Sequence, residues 1–464
     1  MKHSLSICLL VALATISTLQ PVEAQSLSTA YFSDSYLYRH HLNPALISDV
    51  SYFSLPALGN VSTEFGTNEG VSTFVLPSDG RLVTFMHPSV TPADFLSGLN
   101  DKVKMQQHLD LTLFSLGVKS RSGYHTFDIC LHEQAGLSLP ADLFSFMKEM
   151  APDRDYHFSD ARLLGRAWAD VSYGYAFRVG QRLQLGIKAK VLVGLGLADA
   201  DIESATAHFG RDVWDMQLKG QLLVGGAKGT AFSIDENGCF DGIDEYKIGV
   251  AGYGGAFDLG AVYDLDDVVR GLKLSASLSD LGFIRWQHCA SATNEGEAFS
   301  FSGFDHFTLH NDDQHIDGSH TGSLSDQWSD IRDDLEAMYN LRVGTTQSED
   351  QWLAATLRFG AEYQLPASTG LSFGLLLTHR FSDLFSYDEA RLNLNFGPSS
   401  VFDMAVSAAY GTNGPAIGAM ANLRLPGFNL FLGSDHIYIG KVNKHFIPLE
   451  DGGLNLQLGI NFPL

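Results

Sequence analysis

The sequence predicts an all-β fold, a transmembrane antiparallel β-barrel of about 14 to 16 strands with an N-terminal plug segment. Three observations support this prediction. Segments of about ten residues alternate between apolar and polar side chains, turn residues separate these segments, and the chain holds 46 Gly, 31 Phe and 16 Tyr against 14 Pro. A period of two places the apolar side chains on one face of a strand, and a barrel turns that face to lipid and the polar face to its lumen.

The composition excludes several classes of protein. Lys and Arg number 30 against 53 Asp and Glu, a net charge of −23, and this acidic excess argues against a nucleic-acid partner, which needs a basic face. Charged residues make up only 18% and aromatic residues 11%, which argues against disorder. Mean hydropathy is +0.01 and no apolar run of about 18 residues occurs, so helical membrane spans are excluded. Barrel spans are not excluded, because alternation lowers their apparent hydropathy.

Residues 1–24 are predicted to be a secretory signal peptide. Lys2 gives a charged start, residues 7–16 form a short apolar core, and Val22-Glu23-Ala24 offers small residues for cleavage after Ala24. The alternative is a buried N-terminal helix. A cleaved signal peptide together with a barrel predicts location in the outer membrane of a Gram-negative bacterium.

The barrel is predicted over residues 108–464. Its last strand has the clearest alternation, since apolar residues from Leu454 to Leu464 face polar ones such as Asn455, Gln457 and Asn461. The same period recurs over 183–193, 357–365 and 402–410. A soluble sandwich also alternates, but its outward face is richly charged, whereas here the polar positions are mostly Gly, Ser, Asn and Gln. Phe462 near the C-terminus fits the aromatic signal that the barrel assembly machinery binds.

Turn residues set the topology. About 14 strand candidates follow Leu109. If the tight turns near Gly180, Asp267 and Ser368 all face the periplasm, two more strands are needed, and residues 230–234 and a segment before Leu109 are the candidates.

Two regions interrupt the alternation. Residues 25–107 mix short apolar runs with Gly and Pro and form the predicted plug-like segment. Residues 287–351 form a long polar loop. Within this loop, five apolar residues follow helical spacing and predict an amphipathic helix at the barrel rim or in its mouth, namely Leu324, Trp328, Ile331, Leu335 and Met338.

Several motifs carry a family resemblance. Tyr31-Phe32, Arg39, Leu42-Asn43-Pro44-Ala45-Leu46 and the run at 55–60, followed by runs at 186–190, 257–263 and 274–286, together resemble an outer-membrane barrel family of unknown function from Bacteroidota. More distantly, Asn43-Pro44-Ala45 resembles the plug of fatty-acid-transporter-like barrels, including those attached to type IX secretion. The resemblance implies a plugged barrel.

Asn43, Pro44 and Ala45 form the candidate plug motif. Asn before Pro favours an extended or turn geometry, and the Asn side chain can bond to nearby backbone. Such a turn could pin a plug segment inside the lumen. An ordinary surface turn is the alternative.

Charged residues on the polar phase of the strands are predicted to face the lumen. They could set pore selectivity, or they could form ion pairs that brace strands and plug; the presence of both signs favours bracing. The residues are Lys188, Lys190, Asp258, Arg285, Arg358, Glu362, Arg380 and Arg391.

Candidate catalytic and metal motifs are weak. Gly370-Leu371-Ser372-Phe373-Gly374 matches a nucleophile pattern, but it opens an alternating strand, where the required strand-to-helix elbow cannot form. His306, His310, His315 and His320 lie among acidic residues without a rigid ligand spacing, so a solvated loop is the favoured interpretation. The acidic run from Asp235 suggests calcium, but Cys239 occupies a position where an oxygen ligand is normal. We therefore expect neither an enzyme nor a bound metal or cofactor.

Three cysteines follow the predicted signal peptide. Cys239 and Cys289 lie in polar surroundings and could pair in an oxidising compartment, whereas Cys130 lies in an alternating segment as a small side chain. The sequence leaves open whether Cys239 and Cys289 pair.

The leading functional hypothesis is a plugged outer-membrane barrel that passes a small hydrophobic molecule. The alternative is a non-transporting barrel that serves as anchor or shuttle in a secretion or surface-assembly machine, with secretion-system proteins as partners. Either way the expected partners include outer-membrane lipid and, during biogenesis, the barrel assembly machinery. The sequence leaves open the substrate, the exact strand number, whether the plug opens, and the oligomeric state.

Overall fold

The structure is a computed structural model of the chain. It describes residues 27–55, 59–78, 81–149, 153–210, 213–236, 238–301, 341–366, 370–382, 384–412, 414–437 and 452–464. The predicted signal peptide, the His306–His320 cluster and the amphipathic helix around Trp328 lie outside these residues.

The described strands form one closed antiparallel barrel with 14 wall positions, in agreement with the predicted fold class. The first half of the wall consists of β1 (Tyr52–Ser54) with β2 (Asn60–Thr67), β5 (Lys102–Lys119), β6 (Tyr124–Pro140), β8 (Ala161–Val179), β9 (Leu183–Phe209), β10 (Trp214–Gly225) with β13 (Gly252–Asp264), and β14 (Leu272–Phe301).

The second half of the wall continues in chain order. It consists of β17 (Thr356–Gln364), preceded at its edge by β15 (Arg342–Val343) and β16 (Gln347–Trp352), and then β18 (Leu371–Arg380), β19 (Tyr387–Phe396), β20 (Phe402–Gly411), β21 (Gly414–Leu425), β22 (Phe428–Ser434) and β23 (Gly452–Pro463).

The barrel closes between its first and last strands. Residue Val61 of β2 pairs with Leu458 of β23, and on its other side β2 pairs with β5. The predicted boundary between plug and barrel at residues 107 and 108 is therefore wrong, because β1 and β2 belong to the wall and β5 begins at Lys102. The expected strand before Leu109 is β2.

The sixth wall position is built from two strands. β10 and β13 both lie between β9 and β14, with Gly225 opposite Leu197 and Gly252 opposite Gly194. Between them the chain leaves the wall and forms a separate two-stranded sheet of β11 (Ala231–Ile234) and β12 (Phe240–Glu245). The segment 230–234, predicted as a wall strand, is thus a strand outside the wall.

The two ends of the barrel differ in the length of their connections. The turns near Gly180, Asp267 and Gly370 lie at the same end as the C-terminus, because each follows a strand that runs in the same direction as the last strand. The longer connections lie at the opposite end, where they include β3 (Val75–Ser78), β4 (Arg81–Thr84), β7 (Asp155–His157), α1 (Val71–Phe74), α2 (Pro92–Leu96) and α3 (Ala141–Lys148). Short periplasmic turns and longer outer loops are typical of bacterial barrels.

No helix among the described residues is long and apolar enough to cross a membrane.

The two faces of the wall follow the alternation in the sequence. Apolar side chains on the outer face are largely exposed, for example Val191 at 62% and Leu392 at 64%, whereas inward residues of the same strands, Lys188 and Arg391, are buried at 2% and 1%. An exposed apolar belt of this extent suits contact with lipid. The predicted strand phase is therefore confirmed for most of the wall.

The predicted polar loop over 287–351 begins too early. β14 extends without a break to Phe301, and β16 already forms at Gln347–Trp352. Residues 287–301 are mostly polar and lack large apolar residues at every second position, so the sequence pattern does not reveal this extension.

Residues 27–48, which we term the inner segment, lie inside the barrel. Two short 3₁₀ helices, Ser28–Ala30 and Leu37–His41, shape this segment. Its side chains pack in one buried cluster with inward residues of the wall strands. The members of this cluster from the inner segment are Leu27, Ala30, Tyr31, Phe32, Tyr36, Leu37, Tyr38 and Leu42.

Candidate functional site

The first part of the inner segment is held by polar groups of the last wall strands and their connection. The backbone N–H groups of Ser28 and Thr29 each donate to the Asp435 carboxylate at 2.7 Å. The backbone N–H of Leu27 donates to Gln457 at 2.8 Å, and Gln457 donates to the Tyr36 hydroxyl at 2.7 Å. These bonds satisfy backbone groups that would otherwise be buried without partners.

The middle of the inner segment contacts the opposite side of the wall. His40 Nε2 lies 3.2 Å from both oxygens of Asp128 on β6. The Ser277 hydroxyl of β14 donates to the Leu42 carbonyl at 2.9 Å. Because the contacts reach β6, β14 and the C-terminal strands, the segment spans the width of the lumen.

The Asn43-Pro44-Ala45 turn lies in this middle part and is buried. Asn43 Oδ1 accepts a 2.9 Å hydrogen bond from the Ala45 backbone N–H, and Asn43 Nδ2 donates to the Tyr31 hydroxyl at 2.9 Å. The turn is therefore fixed both to itself and to the rest of the inner segment, inside the lumen and not on the surface.

Two facing glycines of the wall form the seat of this turn. Gly186 on β9 pairs directly with Gly260 on β13. A Cβ atom on Gly186 would lie 2.3 Å from the Pro44 carbonyl, and one on Gly260 would lie 2.1 Å from Asn43 Oδ1. The turn can approach the wall this closely only because both positions lack a side chain.

Burial changes the acid–base behaviour of the inner segment. Burial, helped by the Lys188 ammonium, lowers the pKa of His41 to about 3. Burial raises the pKa values of Tyr31 and Tyr36 above their ordinary range. His41 is consequently neutral at ordinary pH, and the hydroxyls stay protonated as hydrogen-bond donors.

Four of the predicted lumen charges, Lys188, Lys190, Asp258 and Arg391, form buried ion pairs. Lys188 Nζ lies 2.9 Å from Asp128, and Lys190 Nζ lies 2.9 Å from Asp258 and 2.6 Å from Asp280. Arg391, which is 1% exposed, pairs with Glu389 at 2.8 Å and donates to the Asp435 carbonyl at 3.1 Å. These arrangements join neighbouring strands to each other and to the residues that hold the inner segment.

Arg358 and Arg380 lie on β17 and β18 and line one cavity. Arg358 donates to Ser279 at 2.9 Å. Glu362, four residues after Arg358 on β17, is partly buried. None of the ion pairs among the described residues joins either arginine to a carboxylate.

Arg285 does not face the lumen, so that prediction is wrong. Its side chain is 58% exposed on the outer face, where it pairs with Asp350 at 2.6 Å. The register of β13 and β14 shifts between Phe257 and Leu259, opposite Asp280, whose φ is 59°. A β-bulge at Asp280 therefore inverts the phase of the rest of β14, and Trp286 takes the inward position.

A polar cavity of about 130 Å³ lies in the lumen beside the inner segment. His41 contributes to its lining together with Arg166, Lys188 and Lys190. A group that sequence reasoning missed completes one wall, namely Asp110, Cys130, His132 and Asp170. The signal was present, because Asp128, Cys130, His132 and Gln134 occupy successive positions of one phase of an alternating segment.

Apolar residues form a second lumen feature, which we term the lumen apolar cluster. Its wall members include Leu192, Ile284 and Trp286, all nearly fully buried. Leu384 and Phe385, from the connection between β18 and β19, pack over Gly136 of β6 and join the cluster. This connection therefore folds inward across the mouth of the barrel.

The structure describes the candidate nucleophile motif, the three cysteines and part of the suggested calcium loop. Residues 370–374 open β18 and form no nucleophile elbow, as expected. Cys130, Cys239 and Cys289 are buried, and Cys239 and Cys289 do not form a disulfide. In the described part of the suggested calcium loop, Asp235 Oδ1 accepts from the Cys239 backbone N–H at 2.8 Å, which uses this oxygen to cap a turn.

A sequence model described as a family of unknown function (DUF5723) matches residues 44–435. The chain belongs to this family. The match agrees with the family of unknown function expected from the sequence motifs, and it covers the Asn43-Pro44-Ala45 turn from Pro44 onward and nearly the whole barrel wall.

Known structures similar to this family member include three barrels. The toluene transporter TodX of Pseudomonas putida has 8% identity and a TM-score of 0.42, with 96% of this chain and 98% of that chain covered. The toluene transporter TbuX of Ralstonia pickettii has 9% identity and a TM-score of 0.40, with 92% of each chain covered. A FadL homologue of Pseudomonas aeruginosa has 10% identity and a TM-score of 0.41, with 96% and 98% covered.

No curated protein matches the chain in sequence.

Proposed function

We propose that this protein is an integral outer-membrane barrel whose inner segment acts as a plug, and that it passes a small hydrophobic molecule. The lumen apolar cluster carries this proposal. Lumens of transmembrane barrels are polar, yet here Leu192, Ile284 and Trp286 turn inward and are buried with Leu384 and Phe385. An apolar patch inside a polar lumen offers a hydrophobic solute a place outside water, at about 25 cal/mol for each Å² buried.

The position of the cluster supports a route to the membrane. Ala251 and Leu197, two of its members, lie where the wall changes from β10 to β13. At that level β9 and β14 are joined through Ala251, which donates to Gly194 O at 2.7 Å and accepts from Gln287 N at 2.7 Å. Separation of this short junction would connect the cluster to lipid.

The inner segment supports the role of a plug. Its hydrogen bonds to Asp435, Gln457, Asp128 and Ser277 reach strands on several sides of the barrel. In this position it blocks straight passage along the barrel axis, so passage requires either the lateral route or displacement of the segment.

Locking the inner segment to the wall tests the proposal. Thr29 Oγ1 and Ser407 Oγ are 2.8 Å apart, so the double variant Thr29→Cys/Ser407→Cys places two thiols in contact. The assay is uptake of N-phenylnaphthylamine, which an intact outer membrane excludes, by a Gram-negative host that expresses the full chain. We expect uptake above the empty-vector level in the wild type, loss of uptake in the oxidised double variant if the segment must move, and recovery with reductant.

Two control variants distinguish the role of the inner segment as a plug from the role of the lumen apolar cluster as a route. Thr29→Cys alone cannot form the lock and should behave as the wild type. Leu384→Ser weakens the lumen apolar cluster from a connection and not from a wall strand, so it should lower uptake without changing heat-modifiable migration. Uptake equal to the empty vector in the wild type would refute passage, and unchanged uptake in Leu384→Ser would refute the role of the cluster.

One observation favours the anchor or shuttle function as a second candidate. β9 has 27 residues and β14 has 30, whereas a membrane crossing takes about 9–11. More than half of each strand therefore projects beyond the membrane, together with β10, and offers a surface for another protein. A photocrosslinker at Trp214 of β10 should capture a protein from intact envelopes, whereas one at Tyr410 on the outer face of the barrel should not; no protein adduct at Trp214 would count against this candidate.

A further inference from the structure

Three side chains with metal-ligand atoms meet on one wall of the lumen cavity. Cys130 and Asp170 are direct cross-strand partners on β6 and β8, and His132 is the next inward residue of β6. Their ligand atoms all lie within 4.8 Å of one another. Because neighbouring wall strands hold all three, the spacing is fixed by the sheet and not by a loop.

The imidazole of His132 is oriented from two sides. Asp110 Oδ1 lies 2.5 Å from Nδ1, and the Trp168 ring stacks on the imidazole with centroids 5.1 Å apart and 19° between planes. This directs Nε2 toward Asp170, whose carboxylate oxygen lies 2.6 Å away. A carboxylate on the distal nitrogen is the usual second-shell partner of a histidine that binds a metal.

Two carboxylates flank the imidazole of this group, and the guanidinium groups of Arg166, Arg358 and Arg380 line the same cavity. Asp110 and Asp170 carry two negative charges against the single imidazole between them. The nearby ammonium groups are engaged elsewhere, Lys188 with Asp128 and Lys190 with Asp258 and Asp280. The Cys130 thiol is buried at 6% exposure, and its hydrogen-bond contact is a weak one with Thr112 Oγ1 at 3.8 Å.

A second cluster in the lumen lacks these properties. His40, His41 and Asp128 also bring their ligand atoms together. However, the Lys188 ammonium lies 2.9 Å from Asp128, which also accepts from Ser115 at 2.6 Å. A cation is already bound to this carboxylate, so the cluster is a structural ion-pair network.

The geometry points to a binding site for a divalent transition-metal ion of the zinc class, with Cys130 Sγ, His132 Nε2 and an Asp170 oxygen as ligands. On binding, the Cys130 thiol and the His132 Nε2–H each release a proton to solvent, and the fourth position faces the cavity and is open to water or a small ligand. Thiolate and imidazole favour zinc, cobalt or copper over magnesium and calcium, which prefer oxygen ligands. This site departs from the sequence expectation of no metal and does not depend on the proposed passage of a hydrophobic molecule.

Cobalt(II) binding to the purified full-length barrel in detergent tests the site. Co²⁺ coordinated by a thiolate gives a ligand-to-metal absorption band in the near ultraviolet, so saturating absorption at one ion per chain is the expected result. Bound Co²⁺ should also quench Trp168, and Trp168→Phe should remove that part of the quenching. Excess Zn²⁺ should abolish the band by competition.

Matched variants assign the ligands. Cys130→Ser should remove the thiolate band, whereas Cys289→Ser, a buried cysteine in the lumen apolar cluster, should keep it. Asp110→Asn should weaken Co²⁺ binding roughly 10–100-fold, the range for loss of a second-shell carboxylate. Heat-modifiable migration shows in each case that the barrel is folded. No band in a folded wild type, or a band that persists in Cys130→Ser, would overturn the site; neither result bears on uptake of a hydrophobic probe.

Discussion

Replacing Gly260 by Ala would remove the seat of the inner segment. Gly260 lies in β13 opposite Gly186, and the Asn43-Pro44-Ala45 turn packs on both. Alanine is compatible with the extended backbone of a strand, so the wall itself tolerates the change. The added methyl group is directed at the turn and therefore tests its docking alone.

The size of the effect follows from the distances. The new Cβ would lie 2.1 Å from Asn43 Oδ1 and 2.9 Å from the Ala45 nitrogen, whereas ordinary contact begins at 3.4 Å. The turn must move by about 1 Å, which costs about 1–3 kcal/mol. The 2.9 Å bonds from Asn43 to Tyr31 and from Ser277 to Leu42 would also be strained, at about 0.5–1.5 kcal/mol each. We expect the docked inner segment to lose at least about 2 kcal/mol.

Amide hydrogen exchange of the inner segment measures this loss. The N–H groups of Leu42 and Asn43 donate to the Arg39 carbonyl and exchange when the segment undocks. A loss of about 2 kcal/mol predicts exchange roughly 30-fold faster in Gly260→Ala. Gly255→Ala on the same strand is the control, because its Cβ meets Lys190 O at 3.6 Å, an ordinary contact. Unchanged exchange in Gly260→Ala, or equal acceleration in Gly255→Ala, would refute the docked position of the turn.

Two further predictions concern the charges of the lumen. Lys188→Met leaves Asp128 buried without its ammonium partner and should destabilise the barrel by about 3–5 kcal/mol, seen as a lower midpoint temperature of heat-modifiable migration. Arg285→Met breaks an exposed pair with Asp350 and should leave this midpoint almost unchanged; equal effects of the two variants would contradict the burial of Lys188. Burial lowers the pKa of His41 from 6.5 to about 3. As the pH falls, the unfolded chain therefore binds a proton at this residue at a higher pH than the folded chain does. The contribution of neutral His41 to stability is therefore present above about pH 6.5 and is lost as the pH falls toward 3, so the midpoint should fall over this window, and less steeply in His41→Gln; identical slopes would contradict the prediction.

Alternation in the sequence was sufficient to predict most of the wall strands. Strands such as β9, β17 and β20 have runs of apolar residues at every second position, because one side of each strand meets lipid. The alternation did not identify β2 as a wall strand, because its outward residues Val61, Thr63 and Phe65 form a short and weakly apolar series. Its place in the wall is set by pairing with β5 on one side and β23 on the other. These pairings cannot be predicted from the sequence of β2 alone.

The orientation of Arg285 depended on a single residue. Up to Leu278 the phase of β14 follows a strict period of two, and a continued period would place Arg285 inside the barrel. One extra residue at Asp280 reverses the phase, because a bulge sets two residues of one strand against one of its partner. The sequence around 280 carries no signal that distinguishes this bulge from a regular strand.

The sequence by itself determined that this protein is an antiparallel barrel with a polar lumen, because lipid on one side of every strand imposes a local period that is visible residue by residue. Only the tertiary structure decided which polar residues meet. Cys130, His132 and Asp170 come from two strands, and their grouping with Asp110 on a third requires the register of neighbouring strands. The same holds for the seat at Gly186 and Gly260, since a glycine that admits a distant segment has the same local sequence signature as any other glycine in a strand.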